Sequence, residues 1–185
     1  MVKGMLWSVS LLSVLMLPST RVPSRGSTAT TRDPHVSRTL QSFDTMYGVD
    51  GPFVGETFAI RGIPGDELPW TVRDARGRLD TEGHLTIRVR GLVFTDDPEV
   101  PPELRGTNDE TEFRGAVSCL TEQGDQVTTV NVISRGFPAT PSGDSSIRDT
   151  LTLPNPCVAP IIFVLAGSED KWFAVAGFEA EEDER

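Results

Sequence analysis

Two cysteines are the residues whose type and position most directly predict chemistry in this chain. Cys119 ends a stretch of alternating apolar residues, and Cys157 follows Pro154-Asn155-Pro156. Two cysteines in the folded part of a chain with an apolar leader predict a disulfide, because extracytoplasmic compartments are oxidising. Closing a loop of about 39 residues would restrict the unfolded chain by about 4 kcal/mol in the entropic model. The alternative is a pair of buried thiols that act as small hydrophobic side chains.

Carboxylates are the second group that could do chemistry. Residues 96–109 include three prolines, which predicts a long surface loop rather than a strand. Hard cations take carboxylate and carbonyl oxygens from loops, so the candidate cation-binding residues are Asp96, Asp97, Glu99 and Asp109. The spacing of a calcium loop is missing, which favours a solvated acidic face. Carboxylate pairs also leave open a hydrolase in which two acidic groups flank a glycosidic bond.

Other catalytic and metal-binding patterns are missing from the sequence. His84 is the only histidine after residue 46, and its place beside a glycine predicts an exposed turn rather than a general base. Tetrahedral zinc needs four ligands, and only His84 is available to join the two cysteines. We therefore predict no catalytic residue, no metal and no cofactor, and we favour a protein that is not an enzyme.

The charge distribution disfavours binding to nucleic acid. The 185-residue chain has a formal charge of −10, and from residue 46 onward 12 basic and 25 acidic residues give −13. A domain with this charge repels phosphate backbones, and the sequence shows no run of basic residues interleaved with aromatic ones.

The ends of the chain differ in composition from its middle. Lys3 precedes an apolar run at 5–17 that resembles a secretory signal in charge and length and is too short to span a bilayer comfortably. We therefore predict a signal-like apolar segment at 1–17, no stable membrane anchor, and a secreted or extracytoplasmic protein. The composition of residues 18–45 predicts a disordered linker, and that of residues 179–185 predicts an acidic tail.

Alternating apolar residues predict an all-β domain over residues 46–178. The clearest strand is 85–94, where Leu85, Ile87 and Val89 share one face. Segments 111–120 and 126–134 predict a hairpin with a turn at 122–125. Further strands are predicted at 56–61, 68–73, 147–153, 161–166 and 172–178, with a turn at 74–77. About eight strands fit an antiparallel two-sheet sandwich, Ig-like or jelly-roll-like.

Large aromatic side chains offer either a core or a ligand platform. The set is Trp70, Trp172, Phe173, Phe137 and Tyr47. Because Trp70 and Trp172 lie in predicted strands, a core role is favoured over a sugar-binding platform.

Several short motifs carry a resemblance to other proteins. They are Ile60-Arg61-Gly62, Leu68-Pro69-Trp70, Val117-Ser118-Cys119-Leu120, Pro156-Cys157-Val158-Ala159-Pro160-Ile161 and Trp172-Phe173-Ala174. With these motifs, the stretch 51–178 resembles a group of small bacterial hypothetical proteins, many of them secreted. The resemblance implies no activity and no site residues, and it implies that residues 1–45 lie outside the shared unit.

Three hypotheses for function follow. The first is a non-catalytic, exported or cell-surface β-sandwich that binds a protein or a glycan through its surface. The second is a hydrolase-like enzyme that uses loop carboxylates, with or without calcium. The third is a cytoplasmic domain of unknown role whose translation starts near Met46, where the composition changes abruptly.

Overall fold

The computed structural model describes residues 37–176, which are built from β-strands, turns and one short 3-10 turn at Gly51–Phe53. The strands are β1 (Thr39–Phe43), β2 (Met46–Gly48), β3 (Trp70–Thr71), β4 (Asp74–Asp80), β5 (His84–Arg90), β6 (Val93–Phe94), β7 (Glu112–Gln123), β8 (Gln126–Pro138), β9 (Ser145–Thr150), β10 (Val158–Ala166) and β11 (Trp172–Ala176).

Two antiparallel sheets form a sandwich, as the sequence predicts. The four-stranded sheet has the order β1-β4-β5-β9, and the five-stranded sheet has the order β2-β11-β10-β7-β8. Strands β3 and β6 pair separately. The strands number eleven rather than about eight, because β1 falls in the predicted linker and short strands such as β2 and β6 carry too few residues to show a period.

The core lies between the two large sheets. Leu85, Ile87 and Val89 of β5 are buried while their neighbours in the strand are exposed, which confirms the predicted alternation. On β7, a Cβ atom at Gly115 would lie 2.9 Å from Leu85 Cδ2 and 3.2 Å from Ile147 Cγ2. Gly115 therefore faces the four-stranded sheet and lets the two sheets approach closely.

Strands β7 and β8 form the predicted hairpin, which is longer than the sequence indicates. Their register runs from Glu112 opposite Pro138 to Gln123 opposite Gln126. Gly124 takes a positive φ of 63° at the turn, a conformation that glycine adopts without steric cost.

Two predictions of local structure are wrong. The segment 56–61 is not a strand but a series of bends and turns, in which Arg61 and Gly62 have positive φ and Ile60 makes an isolated bridge to Ile63. The segment 74–77 is not a turn but the first half of β4. Pairing with β5 there buries Ala75, and this long-range gain outweighs the local turn preference of Asp-Ala-Arg-Gly.

The folded unit begins before the predicted boundary at residue 46. Strand β1 pairs with β4, with Ser42 opposite Arg78 and Phe43 opposite Gly77, and the Phe43 side chain is buried. The end of the predicted linker at 18–45 is therefore a strand. The signal-like segment at 1–17, the linker up to residue 36 and the acidic tail at 179–185 lie outside the described residues.

Three of the predicted aromatic residues belong to the core. Trp70, Trp172 and Phe173 are each about 2% exposed, and the rings of Trp70 and Phe173 stack with centroids 3.9 Å apart. Phe137 is partly buried and Tyr47 is exposed. The core interpretation is therefore correct for the two tryptophans, and they do not form a ligand platform.

Candidate functional site

The two cysteines form the predicted disulfide. Cys119 lies in β7 and Cys157 immediately precedes β10, and their Cα atoms are 4.9 Å apart. Leu120 pairs with Val158 in this antiparallel register, so Cys157 lies diagonally across from Cys119 on the neighbouring strand, within reach of a disulfide. The bridge links adjacent strands of the five-stranded sheet, and it is consistent with an oxidising, extracytoplasmic location.

Nothing in residues 37–176 forms a helix long and apolar enough to cross a membrane.

The candidate cation-binding residues do not converge. Asp96 lies 3.5 Å from the Arg105 guanidinium, and Asp97 accepts a hydrogen bond of 2.8 Å from the Glu99 backbone N–H. Asp109 is exposed. Among the described residues, one group of three acidic side chains lies close enough to share an ion, and it contains none of these four residues. The predicted loop is present, and the carboxylates of Asp96 and Asp97 bind other groups of the same loop.

That acidic group consists of Asp66, Glu67 and Glu169, with ligand oxygens within 4.8 Å of one another. The Lys171 amine contacts the Glu67 carboxylate and lies 2.8 Å from Glu169. The hydrogen bonds with Glu169 and Glu67 raise the pKa of Lys171, and the bond with Lys171 lowers the pKa of Glu67. The lysine cation thus already binds two of the three carboxylates that a metal ion would need.

Asp66 has a structural role in the same region. Its Oδ2 accepts hydrogen bonds from Trp70 Nε1 at 2.8 Å and from the Leu68 backbone N–H at 3.3 Å. Burial raises the pKa of Asp66, and the bond from Trp70 opposes that rise. Opposite shifts in neighbouring carboxylates are typical of glycosidases. Here, however, Asp66 Oδ2 is hydrogen-bonded to the core residue Trp70. The three acidic residues, with Lys171, therefore connect the segment before β3 to the turn before β11.

A different feature stands out on the outer side of the four-stranded sheet. Alternation along β4, β5 and β9 sends every second side chain to solvent. Five exposed arginines occupy these outward positions, and we call this surface the arginine face. They are Arg76, Arg78, Arg88, Arg90 and Arg148.

The register brings these arginines next to one another. Arg76 is directly opposite Arg88 on the neighbouring strand. Thr86 lies between Arg78 on one side and Arg148 on the other. Like charges directly opposite in a sheet are destabilising, so this arrangement costs the fold free energy.

The five arginines also have no ionic partner among the described residues, in contrast to basic residues elsewhere. Arg114 lies 2.9 Å from Asp170, and Arg105 lies 3.5 Å from Asp96. Two aspartates of β4 share the outward positions: Asp80 already binds His84 at 3.0 Å, and Asp74 lies directly opposite Arg90 on the neighbouring strand. Arg76 and Arg88 lie opposite each other instead, so their guanidinium groups are free to bind anions.

A shallow groove of about 700 Å³ crosses the arginine face. Its lining residues are Phe43, Asp44, Arg76, Gly77, Thr86, Ile87, Arg88, Ser146 and Arg148. No outward position of β4, β5 or β9 carries Phe, Tyr or Trp. Phe43 of β1 is the one aromatic residue in the lining, and its ring is buried, so the exposed side chains of the groove offer charge and hydrogen-bond donors rather than rings for stacking.

The arginine face is not among the sequence predictions, because a search for basic residues along the chain does not find it. Arg88 and Arg90 are recognisable as the polar side of the 85–94 strand, but the predicted turn at 74–77 hides the outward position of Arg76. Arg148 lies far away in sequence and joins them only through the pairing of β9 with β5. The usable signal is the alternation of arginine with small or apolar residues at 76–78 and 88–90.

Comparisons with known proteins assign neither a family nor a function to this chain. No protein-family model, no curated protein and no solved structure matches the chain. The arginine face can bind several carboxylate, sulfate or phosphate groups at once, because the planar guanidinium makes paired hydrogen bonds to such anions.

Proposed function

We propose that this chain is an exported, non-catalytic β-sandwich that binds an acidic glycan through the arginine face. The observation that carries the proposal is the pairing of Arg76 with Arg88 on adjacent strands, with no carboxylate bound to either among the described residues. A polyanionic ligand would relieve the repulsion between the two arginines. Binding would therefore recover the free energy that this repulsion costs the free protein, and the gain would add to the affinity.

The geometry of the sheet favours a ligand with repeated acidic groups. Outward side chains recur about every 6.8 Å along a strand, and neighbouring strands lie about 4.8 Å apart. The arginines therefore form a two-dimensional array rather than one pocket. An extended polysaccharide with a carboxylate or sulfate on each repeat can contact several members of this array at once.

Two features favour a glycan over a nucleic acid. The arginine face has no Phe, Tyr or Trp on which bases would stack. The disulfide supports an extracytoplasmic setting, where acidic polysaccharides are exposed.

The other two hypotheses have less support. A carboxylate-based hydrolase needs free acidic groups in a cleft, whereas Asp66 is bonded to Trp70 and Glu67 to Lys171. A domain that starts near Met46 would lack β1, which pairs with β4 and buries Phe43. It would also need the cysteines to be oxidised in a reducing compartment.

The test is titration calorimetry of the protein with polygalacturonate and with a sulfated polysaccharide. We expect binding that weakens as salt is raised, since the contacts are ionic. The double substitution Arg76→Gln and Arg88→Gln should weaken binding at least about tenfold, because two charge-assisted hydrogen-bond donors are lost. Arg61→Gln is the matched control, because it removes a charge near the five-stranded sheet, beside Ser118.

Some results would contradict the proposal. Equal binding by the double variant and the control would show that the arginine face does not bind the ligand. Tighter binding to single-stranded DNA or RNA than to both polysaccharides would show that the ligand is a nucleic acid rather than a glycan. Steady release of shortened sugars by the wild-type protein would favour the hydrolase instead.

A further inference from the structure

We propose that the groove on the arginine face selects glycans in which acidic sugars alternate with neutral sugars, and that Asp44 is the residue that determines this preference. The proposal rests on the proposed function and narrows its class of ligand. Two observations support it, namely the direction of the groove relative to the strands and the charges that stand at its ends.

The groove runs across the strands rather than along them. Its lining residues come from β4, β5 and β9 and from the end of β1, so the groove reaches from one edge of the four-stranded sheet to the other. Arg76 is opposite Arg88, and Arg88 is opposite Ser146, so these three residues form one line across the sheet. Four neighbouring strands span about 14 Å. A short stretch of an extended glycan can therefore cover the whole groove.

Asp44 continues this line at the β1 edge. Phe43 is opposite Gly77, so the next two positions in the antiparallel register are Asp44 and Arg76. Asp44 is exposed and lines the groove, and it makes no ion pair within residues 37–176. The line across the sheet thus has a free carboxylate at one end, two guanidinium groups in its middle and the Ser146 hydroxyl at the other end.

Acidic side chains also mark both ends of β4. The strand begins at Asp74 and ends at Asp80, and both residues hold outward positions. An anionic chain that lay along β4 would meet a carboxylate at each end of the strand. An anionic chain that follows the groove meets the carboxylate of Asp44 at the β1 edge and a neutral hydroxyl at the β9 edge. The charges therefore favour a ligand that lies across the strands.

The charges along the groove favour a neutral sugar beside an acidic one. Arg76 and Arg88 can bind an acidic group through paired, charge-assisted hydrogen bonds. The Asp44 carboxylate repels a second acidic group placed next to the first, but it accepts hydrogen bonds from the hydroxyl groups of a neutral sugar. A polymer with an acidic group on every sugar brings one of these groups against Asp44. A polymer in which neutral sugars separate the acidic ones avoids that repulsion.

The test is titration calorimetry at low salt with two polysaccharides. In hyaluronan each uronic acid alternates with a neutral N-acetylated sugar, whereas polygalacturonate has a carboxylate on every sugar. Asp44→Asn removes the repulsion and should tighten the binding of polygalacturonate about fivefold. The same variant should leave the affinity for hyaluronan within about twofold, because the amide oxygen still accepts from a hydroxyl group. Asp44→Ala has no acceptor and should weaken the binding of hyaluronan about threefold or more.

Asp125→Asn is the matched control. It makes the same change in net charge at the exposed turn between β7 and β8, away from the four-stranded sheet. Its effect on each polysaccharide measures the contribution of net charge alone. A gain for polygalacturonate that Asp44→Asn shows and Asp125→Asn does not would support the role of Asp44.

The proposed function and the role of Asp44 fail in different ways. A wild-type protein that binds neither polysaccharide, or whose binding survives the double substitution Arg76→Gln and Arg88→Gln, would overturn both. Binding that needs the two arginines, but that Asp44→Asn tightens equally for both polysaccharides, would overturn the role of Asp44 alone. So would equal effects of Asp44→Asn and Asp125→Asn on the binding of polygalacturonate.

Discussion

Asp66 shows how this fold keeps a carboxylate in its interior. The side chain is about 9% exposed and accepts hydrogen bonds from Trp70 Nε1 and the Leu68 backbone. Burial raises its pKa, so the ionised form costs free energy at neutral pH. The stability of the fold therefore depends on the hydrogen bonds that Asp66 accepts rather than on its negative charge.

We expect Asp66→Asn to be at least as stable as the wild-type protein at pH 7. The amide oxygen can still accept from Trp70, while the cost of burying a charge disappears. Asp66→Ala leaves the buried indole N–H unpaired and should lower the free energy of unfolding by about 1–3 kcal/mol. Chemical denaturation of both variants checks this, and a large loss in Asp66→Asn would show that the charge itself is required.

Asp80 predicts a pH dependence of stability. Its burial raises the pKa, but hydrogen bonds with the Ser37 and His84 side chains and from the backbone N–H groups of His84 and Glu82 hold the pKa at about 2. Because the folded pKa lies below the unfolded value of about 3.9, the stabilisation is complete well above pH 4 and declines as the pH falls toward 2.

The measurement compares the wild-type protein with Asp80→Asn by denaturant unfolding at about pH 5 and about pH 2.5. The wild-type protein should lose about 1–2 kcal/mol more than the variant between these conditions. Parallel losses in the two proteins would show that other carboxylates account for acid unfolding.

At the level of elements, the disulfide joins two strands that the sheet already places side by side. Cys119 is fully buried in β7, and Cys157 is partly buried before β10. The bridge therefore adds mainly a restriction on the unfolded chain, with 38 residues of sequence separation between its ends.

Replacing both Cys119 and Cys157 with Ala should lower the free energy of unfolding by about 4 kcal/mol. Denaturant unfolding with and without a reducing agent measures the loss. The reductant should destabilise the wild-type protein by a similar amount and leave the double variant unchanged. A wild-type protein that is insensitive to full reduction would contradict this role.

Strand β1 gives a second prediction at this level. A chain that starts at residue 46 loses β1, so it uncovers β4 and loses the buried Phe43 ring. It should be less stable than a chain that starts at residue 37 by at least about 2 kcal/mol, the typical value of one buried aromatic side chain. Thermal and denaturant unfolding of the two chains test this, and equal stability would favour translation from Met46.

The elements that the sequence predicts well are those with an uninterrupted period of two. Strands β5, β7 and β8 are half-buried or paired over long stretches, and their alternation is visible without a structure. The prediction for residues 74–77 is wrong because the local turn preference of aspartate and glycine does not report long-range pairing. The prediction for residues 56–61 is wrong for the opposite reason: the segment has a strand-like composition, but no strand lies beside it to pair with, and only Ile60 makes an isolated bridge to Ile63. The limit at 74–77 also hides Arg76, so the sequence predicts the disulfide but not the arginine face.

The whole molecule is acidic, with a formal charge of −10, yet it concentrates five arginines on one side of one sheet. Such a distribution repels anions at long range and binds them at one surface, which restricts binding to ligands with several acidic groups.

Arginine-specific labelling with phenylglyoxal, read by mass spectrometry with and without a bound acidic polysaccharide, will show whether the arginine face is the binding surface. We predict that the ligand protects the arginine face and leaves Arg61 and Arg135 as reactive as before. The protected residues should be Arg76, Arg78, Arg88, Arg90 and Arg148. Protection of Arg61 or Arg135 instead, or binding with no change at the arginine face, would show that the ligand binds elsewhere on the molecule.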